Sequence, residues 1–241
     1  MPWPPCVRSP TGSSASLAFP NTVLNTIVAE AIDDLADKLE TETGDTAERV
    51  AAVVKESYSA NRQVCFMGDN YDEAWHEEAA ARGLKNLRTT PEALAEVLTA
   101  ESIDAFERYN VLNKRELEAR YEVWIEQYAT IANTEAETGQ NIAKTMILPA
   151  AIRYLRMLDD ADVDAVEDEV RGLTDELIAA IRTLEAANAP VEHEGTLLAE
   201  YARDNQLEAL TAVREVADRL ERVVPDDLWP LPKYSEILFV R

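Results

Sequence analysis

The feature that most constrains the fold is a long apolar repeat within residues 113–158. Apolar side chains recur there at alternating steps of four and three residues, which is the spacing of a helix that packs along a partner. A continuous helix of this length would extend roughly 70 Å at 1.5 Å per residue. The repeat is polar at Glu135 and Thr138, and Pro149, which lacks an amide hydrogen, should kink or divide the helix near Leu148. The repeat consists of Leu117, Tyr121, Trp124, Tyr128, Ile131, Glu135, Thr138, Ile142 and Met146.

Two more helical repeats follow, after an acidic turn at residues 159–164. One ends at Asn188-Ala189-Pro190, and the other runs from Thr196 to Val224. Helices joined by short turns run antiparallel, so this portion is predicted to form a three-helix bundle. The inward positions are Val163, Val166, Val170, Leu173, Leu177, Ile181 and Leu184 in the first repeat, and Leu197, Tyr201, Leu210, Val213, Ala217, Leu220 and Val224 in the second.

The amino-terminal part predicts helices with irregular chain before them. Residues 1–20 are rich in proline and serine and should lack regular structure. Asn21 can cap a helix, and a second amphipathic run spans Thr46 to Tyr58. The apolar stripe of the first helix comprises Val23, Leu24, Ile27, Val28, Ile32, Leu35 and Leu39.

Three further helix boundaries can be read from capping residues. Residues 72–82 should be helical, with Gly83 as the stop. Thr90-Pro91 is a helix start, because proline at the first helical position loses no hydrogen bond. Asn113 followed by Glu116 has the form of a capping box.

Two segments predict extended structure, and the tail predicts a strap. Gln63 to Met67 reads as a buried strand or extended turn, and Ser235 to Val240 alternates enough to form a short strand that could pair with it. Pro225 to Tyr234 is too rich in proline for a helix but too apolar to remain in solvent. The sequence therefore predicts a mainly α fold: an antiparallel long-helix bundle with a few short strands and a proline-rich C-terminal strap.

The chain is strongly acidic, with a formal net charge of −23 at pH 7. Nucleic acid is therefore not expected as a partner, because binding it requires a cationic face that displaces counterions. No apolar run is long enough to span a bilayer and no secretory signal is present, so we expect no membrane partner and a cytoplasmic location. Cys6 and Cys65 offer no framework of bridges, which agrees with a reducing compartment. A high-salt cytoplasm would screen the self-repulsion of such a chain.

The histidines and acidic runs do not form a convincing metal site. His76-Glu77-Glu78 lacks the second histidine one turn later that a zinc-binding helix needs, so His76, like His193, is interpreted as an ordinary histidine. Asp160, Asp162 and Asp164 are spaced like the first ligands of a calcium loop. However, Ala165 occupies the position of the required glycine, and Arg171 that of the bidentate glutamate. We interpret the run as a solvated turn.

The remaining candidates for chemistry also have structural interpretations. Cys65 lies between Val64 and Phe66 with no neighbouring base, which favours buried packing over a nucleophile. The residues Asp69, Tyr71, Asp72 and Trp75 are interpreted as a turn followed by a capped helix rather than a ligand site, and Trp124 and Tyr128, like Trp75, as core. Gly44 and Gly68 belong to no phosphate-binding loop. We therefore expect no catalytic, cofactor-binding or metal-binding residue in this chain.

Several separate blocks of sequence resemble one family. They are PNTVLNTIVAEAIDDLADKLE (Pro20 to Glu40), NRQVCFMGDNYDEAWHEEAAARGLKNLRTT (Asn61 to Thr90), NKRELEARYEVWIEQY (Asn113 to Tyr128) and KTMILPAAIRYL (Lys144 to Leu155). From about Gly12 to its end, the chain resembles the C-terminal portion of a type III glutamine synthetase. The ending at Trp229 to Tyr234 is also similar to the family's carboxyl end, so we expect the true terminus to be present.

The resemblance implies a division into three parts. Residues 1–20 would be an irregular segment, residues 21–59 a helical remnant of the catalytic domain, and residues 60–241 the family's C-terminal helical domain. The intact enzymes use ATP and Mg²⁺ or Mn²⁺ to join ammonia to glutamate, and their ligands would lie before residue 1. Gly12-Ser13-Ser14 matches a family segment, but Arg8 does not fall at the offset of the family's active-site arginine. No catalytic residue is therefore carried over.

The resemblance also implies a structural role. The first helix closes the catalytic domain in the family, so here it would lack most of the surface it covers. The partners would be other glutamine synthetase subunits or the missing catalytic domain, in a homo-oligomer, and the chain alone should be inactive. A truncated or frame-shifted reading frame would account for its length. The alternative is a stand-alone helical adaptor or decoy that binds another protein.

Overall fold

The computed structural model describes residues 16–69, 72–161, 164–233 and 236, and all regular structure in these ranges is helical. The chain divides into two compact units, Met1–Tyr121 and Glu122–Arg241. No helix in the described ranges is long and apolar enough to cross a bilayer. The α-helices are α1 (Ala18–Thr41), α2 (Thr46–Ala60), α3 (Glu73–Ala81), α4 (Thr90–Ala95), α5 (Ala100–Arg108), α6 (Lys114–Ile142), α7 (Leu148–Ala161), α8 (Asp164–Ala187), α9 (Gly195–Tyr201) and α10 (Glu208–Val223).

The mainly α class and the long-helix architecture are confirmed, but the strand at residues 63–67 is wrong. A 3₁₀ turn occupies Arg62–Val64, and the chain that follows is exposed apart from the half-buried Phe66. A strand forms only beside another strand, and none is present in the described ranges. The other predicted strand, at residues 235–240, falls almost entirely outside the described residues.

In the first unit, capping residues set most of the helix starts. The capping box of Asn113 and Glu116 is confirmed, since each backbone N–H donates to the other's side chain, at 2.9 and 3.0 Å. Asp45 and Glu48 form a second box at the start of α2, which the sequence analysis missed. The predicted start at Asn21 is wrong. Helix α1 begins three residues earlier, at Ala18, whose N–H donates to Ser16 Oγ at 3.2 Å.

The first unit has a small core and polar ties between its helices. Phe19 of α1 stacks on Phe106 of α5 with ring centroids 6.4 Å apart. At the end of α5, Tyr109 donates to Asp33 of α1 at 2.9 Å. The guanidinium of Arg49 on α2 donates to the Leu39 carbonyl at the end of α1. The buried side chains of this unit are Thr26, Val53, Ala79, Pro91, Leu94, Ala105, Phe106 and Leu117.

In the second unit, the predicted division at Pro149 is confirmed. Helix α6 ends at Ile142, a π-helical turn occupies Ala143–Ile147, and α7 begins at Leu148. Proline has no N–H to donate, and in a regular helix its ring would collide with the carbonyl four residues earlier. A π turn widens the backbone at that place, so the chain remains helical across the proline.

The face of α6 that meets the second unit's core is lined with small residues. Tyr128 is only half-buried and Ile131 is exposed, so the predicted stripe of large side chains is offset from the buried face. At Gly139, an added Cβ would lie 2.3 Å from Leu210 Cδ1, which marks a close approach of α6 to α10. The buried residues of α6 and the π turn in this unit are Ile125, Ala129, Ala132, Ala136, Ala143 and Ile147.

The inward residues predicted for α8 are confirmed from Val170 to Leu184, but those of the last helix are only partly right. Val213, Ala217 and Leu220 are buried, whereas Leu197 is 63% exposed. A second π turn, Ala202–Leu207, lies between α9 and α10. A π turn takes up one additional residue, equal to about 100° of helix rotation, and so changes which residues of α9 face inward.

The strap predicted at the carboxyl-terminal end is confirmed in its described part. Trp229 is buried in the same core as residues of α8 and α10, and Leu228 and Leu231 pack against that core. Lys233 holds the strap through an ion pair with Asp226.

Candidate functional surface

The two histidines lie apart from one another in the fold. His76 is half-buried on α3, and His193 is exposed before α9, with its ring centroid 5.6 Å from that of Tyr201. Asp160 and Asp164 lie in different helices, α7 and α8, and both are exposed; Asp162 lies outside the described residues. Within the described ranges, no three His, Cys, Asp or Glu side chains are grouped closely enough to hold a metal ion.

Cys65 is exposed, so its predicted burial is wrong. The segment is held from the side by Arg82, which donates to the carbonyls of Gln63 and Cys65 at 3.1 and 2.9 Å. Phe66 stacks on Trp75 with centroids 4.1 Å apart. Phe66 therefore points toward α3, and Cys65, its neighbour in an extended chain, faces solvent.

The turn that precedes α3 has the structural role predicted for it. Asp72 accepts a hydrogen bond from the N–H of Ala74 at 3.1 Å, as an N-cap does. The N–H of Asp72 in turn donates to the carbonyl of Asp69 at 3.2 Å. Tyr71 lies outside the described residues. Trp75 and Trp124 are half-buried.

Two open depressions do not fit ATP or a divalent metal ion. One, of about 330 Å³, has Lys144 as its single cation, and that lysine is paired with Glu185. The other, of about 340 Å³, has no cation. A triphosphate requires several donors or cations around its charge. The first is lined by Glu137, Gln140, Asn141, Lys144 and Thr145, and the second by Asn21, Thr22, Asn25, Thr26, Ala29, Tyr109 and Val111.

Buried amides form a connected polar network in the second unit. Gln206, in the second π turn, donates from Nε2 to Asn133 Oδ1 at 2.8 Å and to Asn188 Oδ1 at 3.2 Å. Asn188 Nδ2 donates to Gln140 Oε1 at 2.8 Å. These groups satisfy one another and link α6, the end of α8 and the α9–α10 segment. The network therefore fixes the relative positions of these helices, and sequence periodicity gave no sign of it.

The feature of the first unit that lacks a structural explanation is an exposed apolar face on α1. Its large aliphatic side chains recur at helical spacing, yet the buried residue of α1 is Thr26. Ile32 is 62% exposed, and its neighbours along the face are exposed by more than a third. We call this surface the α1 apolar face; it comprises Leu24, Ile27, Val28, Ile32 and Leu35.

Polar contacts hold the other side of α1 in place. Arg108 pairs with Glu30 at 3.2 Å, and Tyr109 donates to Asp33. Burial and the hydrogen bond to Asp33 raise the pKa of the Tyr109 phenol above its usual value of 10.0. On the neighbouring helix α2, Val54 is also exposed. Helix α1 is therefore anchored within the unit, while its apolar residues face solvent.

Comparison with known proteins identifies the chain's relatives. Residues 49–165 match the family model of the glutamine synthetase C-terminal domain. The type-3 glutamine synthetase of Dictyostelium discoideum is 31% identical over 95% of this chain and 34% of the relative. The glutamine synthetase of Bacteroides fragilis (strain YCH46) is 28% identical over 95% of this chain and 35% of the relative. That of Butyrivibrio fibrisolvens is 31% identical over 84% and 31%.

The chain thus spans about a third of the length of the curated relatives it matches. The match to the domain model covers all of α3 to α6, and the matches to the relatives include the α1 apolar face. The chain belongs to the glutamine synthetase family and corresponds to the C-terminal portion of its type III members.

Proposed function

We propose that this chain is a structural part of a type III glutamine synthetase. It braces the catalytic portion and contributes surface to a homo-oligomer. The observation that carries the proposal is the α1 apolar face, where five large aliphatic side chains are exposed on one helix. Burying such a side chain fully contributes about 1.5 to 3 kcal/mol. A contiguous surface of this kind is typical of a protein contact.

The occupant we propose for the α1 apolar face is the catalytic portion of the same enzyme. The relatives are about three times as long as this chain, so most of their sequence lies outside it. The intact enzyme would join ammonia to glutamate, with ATP activating the side-chain carboxylate. Neither depression fits ATP, which supports the view that this chain alone does not carry the reaction. The exposed thiol of Cys65 agrees with a reducing cytoplasm as its location.

Co-expression with the remaining two-thirds of a type III glutamine synthetase tests the proposal. We expect the wild-type chain to co-purify with that portion and to restore ATP- and glutamate-dependent phosphate release. The double substitution Leu24→Asp/Val28→Asp should abolish both, because it places two charges in the apolar contact. Co-purification of this variant at the wild-type level would contradict the proposal.

A matched control is Leu197→Asp. Leu197 is as exposed as the residues of the α1 apolar face but lies on α9, in the other unit. This variant should co-purify and restore activity like the wild type. A chain that binds the intact enzyme but never restores activity to the shortened one would indicate an adaptor or decoy instead.

A further inference from the structure

We propose that the outer face of α7 is a contact surface for a second copy of this chain. We define the α7 outer face as Ile152, Arg153, Arg156 and Met157. The inference builds on the proposed structural role, because it names a surface through which copies would assemble. It does not depend on what covers the α1 apolar face.

The first argument is the charge of this part of the chain. The whole sequence has 46 acidic and 23 basic residues, yet the stretch from Asn141 to Leu158 contains no Asp or Glu. Its charged residues are Lys144, Arg153 and Arg156. Lys144 is paired with Glu185. Arg153 and Arg156 are exposed, and neither forms an ion pair within the described part of the chain. The α7 outer face is therefore a basic patch on an acidic molecule.

The second argument is the geometry of the helix. The inner side of α7 packs in the second unit, with Ala150, Ala151 and Leu158 buried. At about 100° per residue, the four residues of the α7 outer face fall on the opposite side of the helix. Ile152 and Met157 are 51% and 53% exposed, so two apolar side chains flank the two arginines. Arginine and methionine are enriched in protein interfaces, where arginine often contributes most of the binding energy.

The third argument identifies the occupant. Two unpaired arginines with apolar neighbours fit a partner surface rich in carboxylates and able to cover Ile152 and Met157. A second copy of this chain, with a net charge of −23, supplies such surfaces. Complementary charge of this kind steers association and fixes its register. A nucleic acid fits less well, because the rest of the molecule would repel its phosphates.

Sedimentation velocity on the purified full chain, over a concentration series at one ionic strength, tests this proposal. We expect the wild type to self-associate and Arg153→Glu/Arg156→Glu to weaken the dissociation constant at least tenfold. Arg153→Lys/Arg156→Lys keeps the charge and should stay within about threefold, since a lysine retains the point charge but loses the guanidinium fork. Circular dichroism confirms that each variant is folded.

The matched control is Arg182→Glu/Arg222→Glu, which makes the same change in net charge at exposed arginines of α8 and α10. It should associate like the wild type. The proposal is overturned if the wild type stays monomeric at every concentration, if the control weakens association as much as the α7 variant, or if the α7 variant associates normally.

The α1 variant Leu24→Asp/Val28→Asp separates this proposal from the proposed function. Self-association that is lost in the α1 variant but kept in the α7 variant would overturn the α7 contact. That result would leave the co-expression test of the catalytic portion unaffected. A co-expression failure combined with tenfold weaker association of the α7 variant would reject the proposed occupant of the α1 apolar face and support the α7 contact.

Discussion

Gln206 links three helical segments through a single side chain. Its amide nitrogen donates to Asn133 on α6 and to Asn188 just after α8, and it is itself buried in the turn before α10. A buried acceptor that loses its donor keeps the cost of its lost hydration, about 1 to 3 kcal/mol. The network therefore contributes to stability mainly through what would be left unpaired without it.

Replacing Gln206 by leucine should reduce the free energy of unfolding by about 1 to 3 kcal/mol, because Asn133 Oδ1 and Asn188 Oδ1 would lose their donor. Urea denaturation measures the change. The control Gln127→Leu, at an exposed position of α6, should alter stability by less than about 0.5 kcal/mol. Equal effects of the two substitutions would mean that the network carries no energetic weight.

Tyr109 should make stability depend on pH at the alkaline end. Its pKa in the folded chain lies above 10.0 because of burial and the bond to Asp33. A raised pKa favours the protonated phenol in the folded state, so its contribution is complete below pH 10 and is lost as pH rises through the folded pKa. The stability difference between wild type and Tyr109→Phe should therefore shrink above about pH 10.

Urea titrations between pH 8 and pH 11 measure that difference, and Tyr58→Phe serves as the control because Tyr58 is exposed on α2. A difference that stays constant over this range would show that the bond between Tyr109 and Asp33 does not distinguish the folded from the unfolded chain.

At the scale of helices, the two π turns decide which residues face the core. The turn Ala202–Leu207 separates α9 from α10, so a single apolar period does not describe both. Leu220 is fully buried on one side of the turn, whereas Leu197 is largely exposed on the other. The inserted residue explains why a regular repeat correctly identifies one leucine as core and misplaces the other.

Truncating these two leucines tests that explanation. Leu220→Ala should cost about 2 to 5 kcal/mol, because it removes buried methyl groups and leaves a cavity. Leu197→Ala should stay within about 0.5 kcal/mol. Thermal or urea unfolding measures both. A large cost at Leu197 would mean that the α9 side chain is buried in solution and that the phase change is wrong.

The sequence was sufficient to identify the helices, their caps at Asp72 and Asn113, and the docking of Trp229. These features depend on local chemistry or on strong periodicity. The alanine-lined face of α6 was missed because alanine is common on exposed and buried faces alike, so it carries little signal. The exposed position of Cys65 was missed because Arg82, distant in sequence, sets the orientation of that segment.

The candidate surfaces were predicted to different degrees. The exposure of α1 followed from the family resemblance, since a helix that normally covers a missing domain must lose its cover. The α7 outer face did not, because the absence of acidic residues is conspicuous only against the exposure of Arg153 and Arg156. Exposure is a property of the folded chain and is not written in the spacing of residues.

At the scale of the whole molecule, the net charge of −23 opposes compactness through repulsion among carboxylates. We expect the melting temperature to rise as KCl is increased from 0.1 to 1 M, because the screening length falls from about 10 to 3 Å. A gain of 1 kcal/mol would correspond to roughly 2 to 4 °C at this size. Calorimetry or circular dichroism measures the shift.

The control for the salt effect is a variant in which exposed carboxylates are made neutral, such as Asp168→Asn/Asp175→Asn on α8. Its melting temperature should respond less steeply to KCl than that of the wild type. A melting temperature that is independent of KCl in the wild type would show that repulsion does not limit the stability of this chain.

The burial of Trp229 in the same core as Ala136 has a consequence for the order of folding during synthesis. A ribosome releases α6 long before it releases the strap, so the second unit must wait for nearly the last codons before its interior is sealed. The first unit is complete in sequence at Tyr121 and can fold while translation continues. Premature termination within the last dozen residues before Trp229 would therefore leave a folded first half attached to an unsealed second half.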